Sequence, residues 1–181
     1  MAGNNFVLKQ LHYLIEDLDK RVLPFDEQLL LELAKHPAAQ LLMTFPGVGI
    51  ITALTIISEV DDFNRFSSGK KLASFAGLVP RQRSSGESVR YGSITHAGSG
   101  PLRTALVETA MRIRVGNAPE LYAFVERLTK AATAKKARVA LARKIIVIMW
   151  KMVLANTPYQ ATIVPSMCTT NLSDLDTASG T

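Results

Sequence analysis

Apolar residues recur every three or four positions through most of the chain, the period of an α-helix with one buried face, and the one long interruption is the polar segment 77–100. That pattern predicts an all-α fold with a single long loop. The opening stretch sets Val7, Leu11, Leu14, Ile15, Leu18 and Val22 at helical spacing, with Glu16, Asp17, Asp19 and Lys20 between them. Pro24 is expected to end this helix and Phe25 to His36 to form a second, whose Leu29, Leu30 and Leu33 face the first or another subunit. Residues 1–41 are too few to bury a core of their own, so they read as a helical, coiled-coil-like arm.

Residues 42–156 read as the main domain. A short helix over Gln40 to Thr44 is broken by Pro46-Gly47-Val48-Gly49, and an apolar helix resumes from Ile51 to Val60. Ser67 is a plausible cap for a helix running to Ala76, with Gly77 suited to the left-handed position beyond its end. Gly, Ser, Pro and Thr then dominate 77–100, interleaved with Arg81, Arg83 and Arg90, which predicts a long loop with one short hairpin around Val89 to Ile94. Pro101 fits a first helical turn, followed by a helix ending near Gly116 and two more over Glu120 to Thr129 and Lys135 to Leu154. Residues 157–181, rich in Thr, Ser and Asp without periodicity, predict a mobile tail.

Charge is divided unevenly along the chain. Residues 1–61 hold four Lys/Arg against eight Asp/Glu, residues 62–151 hold seventeen against five, and residues 152–181 hold none against two, so the middle alone carries +12. Such a block suits the phosphate backbone of DNA, where each neutralised phosphate releases counterions; the alternative is a solvated face that keeps the protein soluble. The richest apolar run, Ile145 to Leu154, is interrupted by Lys151 and falls below the ~20 residues that span a bilayer, so no membrane partner is expected. Nothing at the N-terminus resembles a secretion signal, and a cytoplasmic location is the expectation. The single cysteine, Cys168, has no partner for a disulfide or metal site.

Two segments could carry chemistry. In Phe45-Pro46-Gly47-Val48-Gly49-Ile50, glycines allow a sharp turn, and the amides opening the next helix are anion-binding donors; this resembles the helix-hairpin-helix motif, which holds a DNA phosphate without reading bases. Gly47, Val48 and Gly49 are therefore candidate DNA contacts, against the plainer reading of a glycine-rich turn. In Ala76-Gly77-Leu78-Val79-Pro80-Arg81-Gln82-Arg83-Ser84-Ser85-Gly86, a serine among arginines could attack a phosphodiester while guanidinium groups stabilise the charged phosphorus; it could equally be a polar loop. Ser68-Gly69-Lys70 is no Walker motif, because the earlier Gly and the following Ser/Thr are both missing. His96 has no assignable role, and His12 and His36 read as surface or packing residues of the arm.

Five pieces in order resemble the C-terminal transposase domain of the insertion-sequence family that joins a RuvC-like DEDD domain to a serine-bearing domain and is guided by a bridge RNA. They are Phe45-Pro46-Gly47-Val48-Gly49, Asp62-Phe63-Asn64-Arg65-Phe66-Ser67-Ser68-Gly69-Lys70, Ala76-Gly77-Leu78-Val79-Pro80-Arg81, Ser84-Ser85-Gly86 and Gly98-Ser99-Gly100-Pro101-Leu102-Arg103. The resemblance implies that Ser85 is the catalytic nucleophile, with Ser84 its competitor, and that DNA and a guide RNA are partners. It further implies a composite active site shared between protomers of a homo-oligomer. Arg81, Arg83, Arg90 and Arg103 are further candidate DNA contacts, chosen for charge and proximity. No cofactor is expected in this chain: the family's Mg²⁺ belongs to four acidic ligands of the DEDD domain, for which residues 1–41 offer no place, so the chain alone is expected to be inactive. The segment His96-Ala97-Gly98-Ser99-Gly100-Pro101 is less basic than the family's pattern. The reading is DNA transposition, with a non-catalytic helix-hairpin-helix DNA-binding module or a helical assembly protein as the alternatives.

Overall fold

The structure is a computed structural model that describes residues 2–85, 88–94 and 97–160, with side chains over 5–79 and 97–160. Among the described residues the body is all-helical, as the apolar period predicts. The helices are α1 (Ala2–Lys35), α2 (Pro37–Met43), α3 (Ile50–Val60), α4 (Gly69–Phe75), α5 (Gly100–Arg112), α6 (Pro119–Ala131) and α7 (Ala134–Ala155), with a 3-10 turn at Phe63–Arg65. Ser99 precedes α5 and Thr133 precedes α7; each hydroxyl accepts an amide of the first turn, from Leu102 and Lys136, which is how a helix start is fixed locally.

Helix α7 is the axis of the domain. Its Leu141, Ile145, Ile146, Ile148 and Met149 are buried because α2, α4, α5 and α6 all pack on it. Gly69 allows the start of α4 to lie against Val147, whose Cγ1 would stand 3.0 Å from any β-carbon there. Trp150 donates its indole N–H to the carbonyl of Phe63 at 3.3 Å, tying the 3-10 turn to the same axis. Phe45, Leu42, Ile56, Leu72, Leu102, Leu106 and Leu121 complete a single core.

Three boundaries differ from expectation. Pro24 does not end the first helix: α1 runs unbroken through it. A proline deprives the carbonyl four residues back of its donor, but α1 is exposed along this stretch, so the vacant acceptor at Lys20 is open to solvent. The cap of α4 is Ser68, whose hydroxyl accepts the Lys71 amide, and not Ser67. Residues 80–85 and 88–94 are not loop but an antiparallel ribbon of β1 (Pro80–Ser85) and β2 (Ser88–Ile94). Gly77 takes the left-handed backbone expected of it, at φ +69°.

Residues 157–160 lie against the body. The Tyr159 amide donates to the Thr44 hydroxyl at 2.9 Å, and its ring meets Phe45 edge-on at 4.7 Å between centroids. Residues 161–181, the rest of the expected tail and the position of Cys168, lie outside the described residues.

Candidate nucleic-acid interface

The first candidate site is the junction of α2 and α3. Pro46 and Gly47 are the central pair of a turn closed by the Val48 amide on the Phe45 carbonyl at 3.2 Å, and Gly47 has φ +82°. Proline followed by a left-handed glycine is the signature of a type II turn. Gly49 then serves as the extended residue before α3 and accepts the Ala53 amide at 2.9 Å. The first-turn amides of any helix have no intrahelical acceptor, and Gly49 and Ile51 are exposed here, so this end of α3 offers donors to solvent. Gly47, Val48 and Gly49 all belong to this turn, with the Val48 side chain buried.

Arg112, a residue the sequence did not single out, sits on this turn. Its Nη1 donates to the Gly47 carbonyl and to the Thr52 hydroxyl, both at 3.4 Å, and its Nη2 stands 3.6 Å from Glu108. A β-carbon at Gly47 would lie 3.0 Å from that of Arg112, so the turn and the end of α5 are in contact. The signal available in sequence was a basic last turn of a helix, which has an ordinary meaning as complement to the helix dipole.

The second candidate is the ribbon and its foot. The ladder opposes Ser85 to Ser88, Ser84 to Val89, Arg83 to Arg90 and Gln82 to Tyr91, then shifts register before Pro80 pairs with Ile94. Directly opposed residues, and those two apart along a strand, share a face of an antiparallel ladder. The register therefore assigns positions 83, 85, 88 and 90 to one face. Ser84 belongs to the other. Arg81 falls where the register shifts. His96 lies outside the described residues.

The foot of the ribbon is clamped. The Ser99 amide donates to the Phe75 carbonyl at 3.1 Å, and the Ser99 hydroxyl donates to Glu59 at 2.7 Å while accepting the Leu102 amide at 3.0 Å. Arg103 is engaged here: its Nη1 donates to the Ala76 carbonyl at 3.3 Å, closing the C-terminal end of α4. Gly98, at φ +146°, is packed so closely on the Phe75 carbonyl that a β-carbon would collide with it. Leu78, where the chain leaves for β1, is buried. Leu78 on one side of the ribbon and Gly98 and Ser99 on the other are thereby fixed on α3, α4 and α5.

Further cations line the body. Arg65 stacks on Phe66 and Phe75, at 4.7 and 4.9 Å from the ring centroids, and Lys70 and Lys71 are carried by the first turn of α4. Among the described residues no group of three His, Cys, Asp or Glu could hold a metal ion, and no helix is long and apolar enough to cross a membrane.

Residues 39–126, which contain the turn, the ribbon and its foot, match the family model described as Transposase IS116/IS110/IS902 family. The chain is 36% identical over 127 residues to the pilin gene-inverting protein of Moraxella bovis, covering 69% of this chain and 39% of that protein. It is 30% identical over 157 residues to the transposase for insertion sequence element IS1111A of Coxiella burnetii, covering 85% and 43%. To the transposase for insertion sequence element IS1328 of Yersinia enterocolitica it is 33% identical over 104 residues, covering 58% and 31%. The chain spans about two-fifths of the length of the first two.

Proposed function

We propose that this chain, whose residues 39–126 carry a transposase domain of the IS116/IS110/IS902 family, is the serine-bearing, DNA-holding part of a transposase or DNA-inverting recombinase. The observation that carries this reading is the ribbon register, which sets Ser85 beside the opposed Arg83 and Arg90 on one face. Phosphate is the anion that would relieve that opposition. In the proposed step the Ser85 oxygen forms a bond to a DNA phosphorus as one P–O ester bond to sugar breaks. The strand end leaves as a hydroxyl, taking up a proton as the serine gives one up. The number of ester bonds is conserved, so reversal on a different strand end exchanges strands without an external energy source. Guanidinium groups at 81, 83 and 90 favour this by neutralising charge that develops on phosphorus.

The turn at Gly47 to Gly49 takes a backbone phosphate through the α3 amides, and Arg103 offers the donors not used on Ala76. The four acidic ligands and their Mg²⁺ expected of the family would come from a further domain, supplied by another part of the protein or another protomer. A guide RNA and a homo-oligomer belong to the same proposal.

The test uses the chain together with that acidic domain and a DNA carrying the recombination site. Ser85→Ala should abolish covalent attachment of protein to DNA and leave equilibrium binding intact. Attachment that persists in Ser85→Ala and disappears in Ser84→Ala would move the role to Ser84. Binding that is steeply salt-dependent, without covalent attachment in either parent or variant, would favour a DNA-binding module without catalysis.

A further inference from the structure

The segment Asp62 to Lys70 takes no part in the turn at Gly47 or in the ribbon, yet it builds a defined feature. Phe66 and Phe75, both half-buried against the core, stand 5.4 Å apart between ring centroids and are inclined by 53°, so the two rings form a corner. The Arg65 guanidinium lies over both, its central carbon 4.7 Å from the Phe66 centroid and 4.9 Å from that of Phe75. A ring face attracts a cation through its quadrupole, and two rings hold the planar group more narrowly than one.

Arg65 is exposed, and among the described residues it makes no ion pair or hydrogen bond. Two carboxylates from the same stretch are engaged elsewhere. Asp62 accepts the backbone and side-chain N–H groups of Asn64 at 2.8 and 3.0 Å, and Glu59 accepts the Ser99 hydroxyl at 2.7 Å. Phe75 is also the residue whose carbonyl takes the Ser99 amide, so the arginine is anchored at the foot of the ribbon. Arg103 reaches the next carbonyl, that of Ala76, from α5. Lys71 precedes Phe75 by one turn of α4 and adds a cation on the same side.

From this arrangement we infer that Arg65 is a preset contact for a phosphate of the DNA backbone where the strand leaves the ribbon, an inference that rests on the reading of the ribbon as DNA-holding. The chemistry selects that ligand. A guanidinium keeps its charge at any ordinary pH and carries five N–H donors in one plane. Stacking occupies its face and leaves the edge, where paired donors match the oxygens of a phosphate. Rings that hold the long side chain beforehand remove part of the ordering cost that a free arginine meets on binding. The contact reads no base; it sets the path of the backbone past α4.

The test uses the full chain and a mixed-sequence DNA duplex, with affinity followed across a salt series. Arg65→Gln should weaken binding about tenfold near ~0.1 M salt and lower the slope of log affinity against log salt by about one. Lys20→Gln removes the same charge from the arm and should leave the slope at the parent's value. Phe66→Leu keeps the charge but loses a ring, so the slope should hold while affinity falls a few-fold, and Phe66→Tyr should restore it. Trp150, whose indole holds the Phe63 carbonyl of the same 3-10 turn, reports whether that turn is intact. A parent chain that binds without steep salt dependence would remove the ribbon reading together with this one. Steep binding by the parent, with Arg65→Gln unchanged in affinity and slope, would overturn this inference alone. So would a slope lowered as much by Lys20→Gln, a Phe66→Leu chain as tight as the parent, or a Trp150 emission shifted in Arg65→Gln, which would make the arginine part of the fold.

Discussion

Ser99 and Glu59, forty residues apart in sequence, are joined by a 2.7 Å hydrogen bond in which the serine hydroxyl donates to the carboxylate while its oxygen accepts the first-turn amide of Leu102. One hydroxyl thus starts α5 and fastens it to α3. Ser99→Ala should cost about 1–2 kcal/mol, the loss of a cap plus a part-buried carboxylate left short of a donor. Ser99→Asp separates the two contributions. Aspartate is a good cap in isolation, but here it would set a second carboxylate beside Glu59, so it should be no more stable than the alanine variant. Denaturant unfolding followed by Trp150 fluorescence measures both, and an aspartate variant as stable as the parent would refute the pairing.

Gly98→Ala should be more damaging than its size suggests. The added methyl would have to occupy space held by the Phe75 carbonyl, and φ +146° is a backbone conformation that alanine adopts only at a cost. Neither contact is a flexible side chain that can step aside. The expected loss is about 3 kcal/mol or more, from combined overpacking and strain. The segment at Gly98 and Ser99 should also be displaced from the end of α4, so DNA binding should weaken along with stability. Gly116→Ala is the control, because nothing lies within 4 Å of a β-carbon there.

The helical body was legible because burial of one face imposes its period on every element long enough to show it, and Pro101 in the first turn of α5 and Gly77 beyond α4 sat where their chemistry required. Pro24 misled because a proline kinks a helix as well as ending one: it removes one bond, and in an exposed arm the carbonyl it frees at Lys20 is open to solvent. The ribbon was under-read for a related reason: Pro80–Ser85 has no apolar face to alternate, so no strand period could appear. Arg112 on Gly47 and Glu59 on Ser99 were invisible because each contact closes across forty or more residues of chain, a distance at which spacing carries no information. Ser85 and the arginines could be named from composition and resemblance, but only the pairing register assigns 83, 85 and 90 to one face.

Arg103 distinguishes a structural contact from a DNA contact. Its Nη1 holds the Ala76 carbonyl, and the expected cost of Arg103→Leu is about 1 kcal/mol of stability, since a hydrogen bond from a charged donor is lost at a part-buried site. If the remaining donors reach a phosphate as proposed, the slope of log affinity against log salt should also fall by about one. Arg103→Lys should keep part of the slope while losing the bond to Ala76. Unchanged slopes in both variants would confine Arg103 to the foot of the ribbon.

Tyr159 gives the segment after α7 a pH dependence. Its phenol is raised above the ordinary value of 10.0, first by burial against the α2–α3 junction and then by the charge of Glu120, both of which disfavour the phenolate. A phenol whose folded-state value lies above its unfolded one contributes fully to folding below pH 10 and loses that contribution as pH rises through the folded value. Residues 157–160 should therefore detach from Thr44 and Phe45 in alkali before the body unfolds. Ultraviolet titration should show one tyrosine ionising late, and Tyr159→Phe should remove that step while keeping the edge-on contact with Phe45. If the late step survives in Tyr159→Phe, another tyrosine is responsible. If the protection of the Tyr159 amide against exchange, relative to an unstructured amide at the same pH, is as low at neutral pH as in alkali, the segment is not held by this contact.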